Sequence, residues 1–154
     1  MNASSWYQGR PAGFWLILVV FLISVLLLFI GQTMAVLNYD FAVSIGMQED
    51  VREISEFGVA VNRAFGAGDT LVYIPLILFS IVGLILRKRW TLIVSAAVMG
   101  ISAYWTATSA VMFWFLEGVP NYSFHPGAEY WSIMMFYFLF GLWDCGTWHF
   151  EGMR

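Results

Sequence analysis

Cysteine is almost missing from these 154 residues: Cys145 stands alone, so neither an internal disulfide nor a paired-thiol redox centre of the C-x-x-C kind is open to the chain. Charge is nearly as scarce, at 11% of residues. The seven Lys and Arg do not gather into the broad basic face that a nucleic-acid partner needs, and the formal net charge is −3. No internal repeat is visible, which removes the sequence signature of a transporter built from inverted halves. No spacing joins a nucleophile to a base, so no catalytic residue is assigned. No metal is assigned either, because His125, four residues before Glu129, reads as a turn residue beside Pro126. The cofactor stays unassigned.

What the chain does hold is apolar surface. It is 60% hydrophobic and 19% aromatic, with a mean hydropathy of +0.75, well outside the balance of a soluble globular domain. Four long apolar runs predict an all-α membrane protein, a single domain over 1–154, with spans at about 14–37, 70–86, 90–116 and 130–148. The basic residues orient that four-transmembrane-helix bundle. Arg10 precedes the first run, Arg87, Lys88 and Arg89 fill the second gap, and Arg154 closes the chain. Only Arg52 and Arg63 lie in the first gap and none in the third. Cytoplasmic loops keep the excess of Lys and Arg, so both termini are expected inside, in a plasma or inner membrane. The first run, apolar from Phe14 to Ile30 apart from Ser24, is longer than the about 7 to 15 residues of a signal core. It is read as a retained anchor.

The first outer gap carries its own pattern. Val51, Ile54, Gly58, Val61 and Phe65 recur at helical steps, predicting an amphipathic helix over about 50–65 that caps the outer end of the bundle. Arg52 and Glu56, four apart, are spaced to pair. Asp69 is placed to cap span two, with Gly66 and Gly68 giving backbone freedom at its start, and Pro75 predicts a kink. On span three, Ala96, Gly100, Ala103, Ala107 and Ala110 form a small-residue stripe suited to close helix packing.

The outer ends of the spans collect the distinctive polar residues. Asp40, Asn62, Arg63, Asp69, Tyr73 and Glu117 are expected to form an outward-facing polar pocket, with Arg63 as counter-charge to the acids. Tyr104 and Asp144 are the candidate intramembrane polar residues. Asp144 falls in a seven-residue series with Tyr130 and Tyr137, and Tyr104 beside Trp105 suits a flat apolar ligand. Taken together, these features favour a non-catalytic protein acting by association in the lipid bilayer, with itself or with other membrane subunits. A ligand or ion carrier using the outer cluster is the alternative. An enzyme on a lipid-soluble substrate, with Asp69 or Glu117 as acid or base, is the third reading.

Overall fold

The computed structural model describes residues 12–147, with side chains described as far as residue 143. Arg10, Trp148, His149, Arg154 and the Asp144 side chain lie outside the described residues, and with them the expectations those groups carried. All regular structure among the described residues is helical: α1 (Ala12–Leu37), α2 (Tyr39–Ser44), α3 (Val51–Ile85), α4 (Thr91–Leu116) and α5 (Ala128–Thr147). Helices α1, α3 and α4 are each long and apolar enough to cross a membrane, which is compatible with a membrane location.

α1 is apolar on every side. Ile17, Val20 and Phe21 are buried while Leu16, Val19, Ile23 and Leu26 are exposed, whereas a helix made for water would turn polar residues outward. Asn38 then stops it and restarts the chain as α2, its side chain accepting the Phe41 N–H at 3.1 Å.

α3 begins with a capping box: the Asp50 side chain accepts the Arg52 N–H at 2.8 Å, and Glu53 accepts the Asp50 N–H at 3.3 Å. Arg52 folds back on Asp50, at 2.9 Å, instead of forward to Glu56. The reason lies between them, where Ser55 takes φ 65° and ψ 169° and breaks the register that would stack residues four apart. Beside this break the Glu53 carbonyl accepts the Ser123 N–H at 2.8 Å. The loop after α4 is thereby tied to the start of α3.

Beyond the Ser55 break the amphipathic stretch and the second apolar run are one continuous helix, where the sequence suggested two. Gly68 is helical, at φ −59° and ψ −46°. Gly66 serves close contact rather than freedom: a Cβ there would stand 2.5 Å from the Gln32 carbonyl oxygen of α1. The bend expected near Pro75 takes the form of a π-helical turn over Asp69–Tyr73. Proline lacks an N–H and its ring pushes on the carbonyl a turn earlier, and a widened turn relieves both. α1 has its own π-turn at Phe29–Thr33. The two turns meet through Thr33 Oγ1 and Thr70 Oγ1, 2.9 Å apart. Because the Thr70 hydroxyl donates to the Gly66 carbonyl at 2.7 Å, Thr33 is the donor in that pair.

Between α3 and α4 the chain turns within five residues. Arg87 adopts φ 53°, and the N–H groups of Arg87 and Lys88 close on the carbonyls of Leu84 and Gly83 at 3.2 and 2.9 Å. The buried face of α4 carries Thr91, Ser95, Val98, Met99, Ser102 and Thr106. Its hydroxyls find partners, Ser95 on Ser80 at 2.5 Å and Thr91 on the Ser80 carbonyl at 3.1 Å, as polar groups in an apolar interior must. The expected small-residue stripe divides. Ala103 is buried and Ala107 and Ala110 are half-buried, but Ala96 and Gly100 face outward. Close approach comes from the other partner, Gly141 of α5, where a Cβ would meet the Met99 carbonyl oxygen at 2.6 Å. Ile17 and Phe21 from α1, Ile77 from α3, Val98 and Met99 from α4 and Phe140 from α5 share one core.

Candidate functional site

A cavity of about 650 Å³ opens at the end of the molecule away from the α3–α4 turn. Its walls are residues 54–65 of α3 and 104–116 of α4, and the segment from Val119 to Tyr122 roofs it. The Ser55 break and the Ser123–Glu53 hydrogen bond hold that roof in place. Aromatic rings recur in the lining, among them Phe57, Tyr104, Trp105, Phe113, Tyr122 and Tyr130. The size and apolar character match small-molecule sites, which run to about 300–1,000 Å³ with a few placed polar groups.

Here the placed group is Glu49. Asn62 Nδ2 donates to Glu49 Oε2 at 2.7 Å and to Gln48 Oε1 at 3.0 Å, and Tyr130 OH donates to Glu49 Oε1 at 3.3 Å. Tyr39 OH donates to the Glu49 carbonyl at 3.0 Å, fixing the backbone beneath the side chain. Among the described residues no Lys or Arg lies within ion-pair distance of Glu49; the ion pair found is Arg52 with Asp50. Two arginine hydrogen bonds draw the Asp50 carboxyl down to about 2, so Arg52 is already engaged. The negative field of Glu49 registers on its neighbours. Burial pushes the Tyr122 phenol up to about 12, with Glu49 adding to the shift. Burial likewise raises Tyr39, opposed by the Asn62 hydrogen bond and reinforced by Glu49 and Asp50.

The structure distributes the residues expected to form one pocket over four places. Asn62 lies on the cavity wall. Asp40 and Arg63 share an open groove on another side of α3, lined also by Asn38 and Glu56. Arg63 donates to the Val36 carbonyl at 3.2 Å and forms no ion pair with Asp40, Asp69 or Glu117. Glu117 is exposed at the end of α4. Asp69 and Tyr73 are inside, in the π-turn of α3, where Tyr73 OH donates to the Val98 carbonyl at 3.2 Å. Asp69 is only 9% exposed, and its Oδ2 has no hydrogen-bond partner among the described residues. Tyr104 is 73% exposed and borders the cavity beside Trp105. Of the heptad series, Tyr130 reaches Glu49 and Tyr137 OH lies 3.0 Å from Ser24 Oγ on α1. His125 Nδ1 lies 2.7 Å from the Ser123 carbonyl oxygen, a turn contact within the roof.

Glu49, Gln48 and Tyr122 were not singled out from sequence. Glu49 stands among four acids between residues 49 and 56, and nothing local separates it from its solvated neighbours. The usable signal was its neighbour in the lid pattern: Asn62, an amide on an otherwise apolar helical face. Comparison with family models, with curated proteins and with solved structures finds no match for the chain.

Proposed function

We propose that the chain is a four-span integral membrane protein, its termini cytoplasmic, that binds an amine-headed amphiphile in its outward-facing cavity without transforming it. The observation that carries this reading is Glu49, a carboxylate without a cationic partner among the described residues, clamped by Asn62 and Tyr130 on the wall of a cavity bordered by aromatic rings. A positive head group offers Glu49 its missing counter-charge and gains from the ring faces around it. An alkyl tail suits the apolar remainder, Ile54, Phe65, Met112 and Leu116.

Position supports the same assignment. At about 1.5 Å per residue, Trp105 stands about 20 Å above the inner end of α4 and Asn62 about 35 Å above the inner end of α3. A hydrocarbon layer is about 30 Å thick, so the cavity straddles its outer boundary. The head then sits in the polar layer and the tail points into the membrane. α5, with 20 residues from Ala128 to Thr147, is long enough for the fourth crossing and returns the chain to the side of Arg87–Arg89.

Calorimetric titration of the purified chain in nanodiscs tests the reading, with dodecylamine and dodecanol as probes. Dodecylamine is expected to bind at least about tenfold more tightly, a difference near 1.4 kcal/mol, and Glu49→Gln to remove that preference. Equal affinity for the two probes, or a preference untouched by Glu49→Gln, counts against it. A separate observation favours self-association as well. Ala96 and Gly100 present a small-xxx-small face outward on α4 beside exposed Ile93 and Tyr104, a surface that lets two helices approach closely in lipid. Light scattering in mild detergent is expected to show a dimer that Gly100→Ile dissociates; a monomeric wild type refutes it.

A further inference from the structure

The cavity leaves Asp69 unexplained. This carboxylate is 9% exposed, lies about 24 Å above the inner end of α3 by residue count, and holds an oxygen that neither solvent nor any described donor reaches. An unpaired anion in an apolar interior is among the costliest arrangements a protein can keep. Among the described residues no positive charge serves it. Arg63, six residues earlier, is exposed and donates to the Val36 carbonyl, and Arg52 is held by Asp50. Arg87, Lys88 and Arg89 follow the far end of α3.

Oxygen, by contrast, is plentiful. Thr70 is the next residue, and its hydroxyl meets Thr33 of the opposing π-turn at 2.9 Å. Tyr73 lies one turn below on the same face. Pro75 offers this turn no N–H, and the Ile74 N–H before it closes on the Asp69 carbonyl. Two π-turns meeting beside a carboxylate, with hydroxyls on both, present the oxygen-bearing surroundings that hard cations select. π-turns themselves recur at functional sites.

We infer that Asp69, seated where the π-turns of α1 and α3 meet, binds a small hard cation from solution, Na+ or a proton. The site supplies one full negative charge and takes one positive charge in return. The titratable groups on its inner side are Tyr73 of α3 and, beyond it, Tyr137 of α5. α1 brings Gln32 and Thr33 to this level, and α4 brings Ser102 and Thr106, none of them charged. This inference does not depend on what the outer cavity holds.

Thermal unfolding of the full chain in nanodiscs, wild type beside Asp69→Asn, distinguishes the two cations. In one arm choline is replaced by Na+ at constant ionic strength. In the other, Na+ is absent and the pH is lowered from about 8 to about 4.5, toward the ordinary carboxyl range. A cation that binds only the folded chain raises its midpoint, here by about 5 °C or more at saturation. A rise in the Na+ arm that Asp69→Asn lacks assigns Na+, and a rise on acidification that Asp69→Asn lacks assigns the proton. Asp69→Ser replaces Asp69→Asn should the latter fail to fold. A wild-type midpoint indifferent to both, or a variant that responds as the wild type does, overturns the inference.

Discussion

Gly66 and Gly68, two residues apart on α3, sit in opposite surroundings. A methyl group at Gly66 would strike the Gln32 backbone oxygen, which cannot move aside, whereas nothing lies within 4 Å of a Cβ at Gly68. Gly66→Ala is expected to destabilise the chain by about 1–3 kcal/mol, and Gly68→Ala to stabilise it by about 0.5–1 kcal/mol through lost unfolded-state freedom. Reversible denaturation in detergent checks the pair, and shifts of the same sign contradict it. Both glycines read alike in sequence because the difference is made by α1, more than thirty residues away. Glu49 is a sharper case of the same thing, since its partners Asn62 and Tyr130 are 13 and 81 residues distant. The phenol of Tyr122 offers a pH signature of this neighbourhood. Its pKa is raised to about 12 from an ordinary value of about 10, so the neutral form is favoured by folding. Its contribution to stability is complete below about pH 10 and disappears as pH climbs through about 12. Ultraviolet difference titration of wild type against Tyr122→Phe is expected to show one phenol with a midpoint near 12; a midpoint near 10 would place Tyr122 in open water.

Helix existence and extent were largely legible at the level of elements. α4 at Thr91–Leu116 and α5 at Ala128–Thr147 fall within a few residues of the apolar runs 90–116 and 130–148, since hydrophobic length depends on no partner. Continuity was not legible. The glycines before Asp69 read as a boundary, yet both stay helical, Gly66 packed against α1, and the amphipathic half of α3 runs on into its apolar half. Pro75 announced a bend, but its form, a π-turn set against a second π-turn in α1, depends on Thr33 as much as on the proline. A double-mutant cycle on Thr33→Val and Thr70→Val is expected to return a coupling of about 0.5–1.5 kcal/mol. Pro75→Ala restores the missing donor and favours an ordinary turn, which rotates Thr70 away from α1. The coupling should then fall toward zero. Persistence of the full value in the Pro75→Ala background would mean that α1, not the proline, imposes the widened turn.

For the molecule as a whole, the orientation proposed from the basic residues and the outward placement of the cavity stand or fall together. Phe57, 79% exposed on the outer half of α3, is the natural reporter. With Cys145 replaced by Ser, a Phe57→Cys chain in intact cells should react with a membrane-impermeant maleimide. Protection until the cells are permeabilised would invert the topology. The length of α3 has a consequence of its own. Beyond the Ser55 break it runs over 56–85 and extends about 45 Å, roughly 15 Å more than a typical hydrocarbon layer. On the proposed placement Asn62 and the Glu49 clamp ride on the part that projects, and lipids with longer acyl chains would submerge them by hydrophobic mismatch. The proposed amine capture is therefore expected to weaken steadily as the bilayer is thickened, which titration across nanodiscs of increasing acyl length checks.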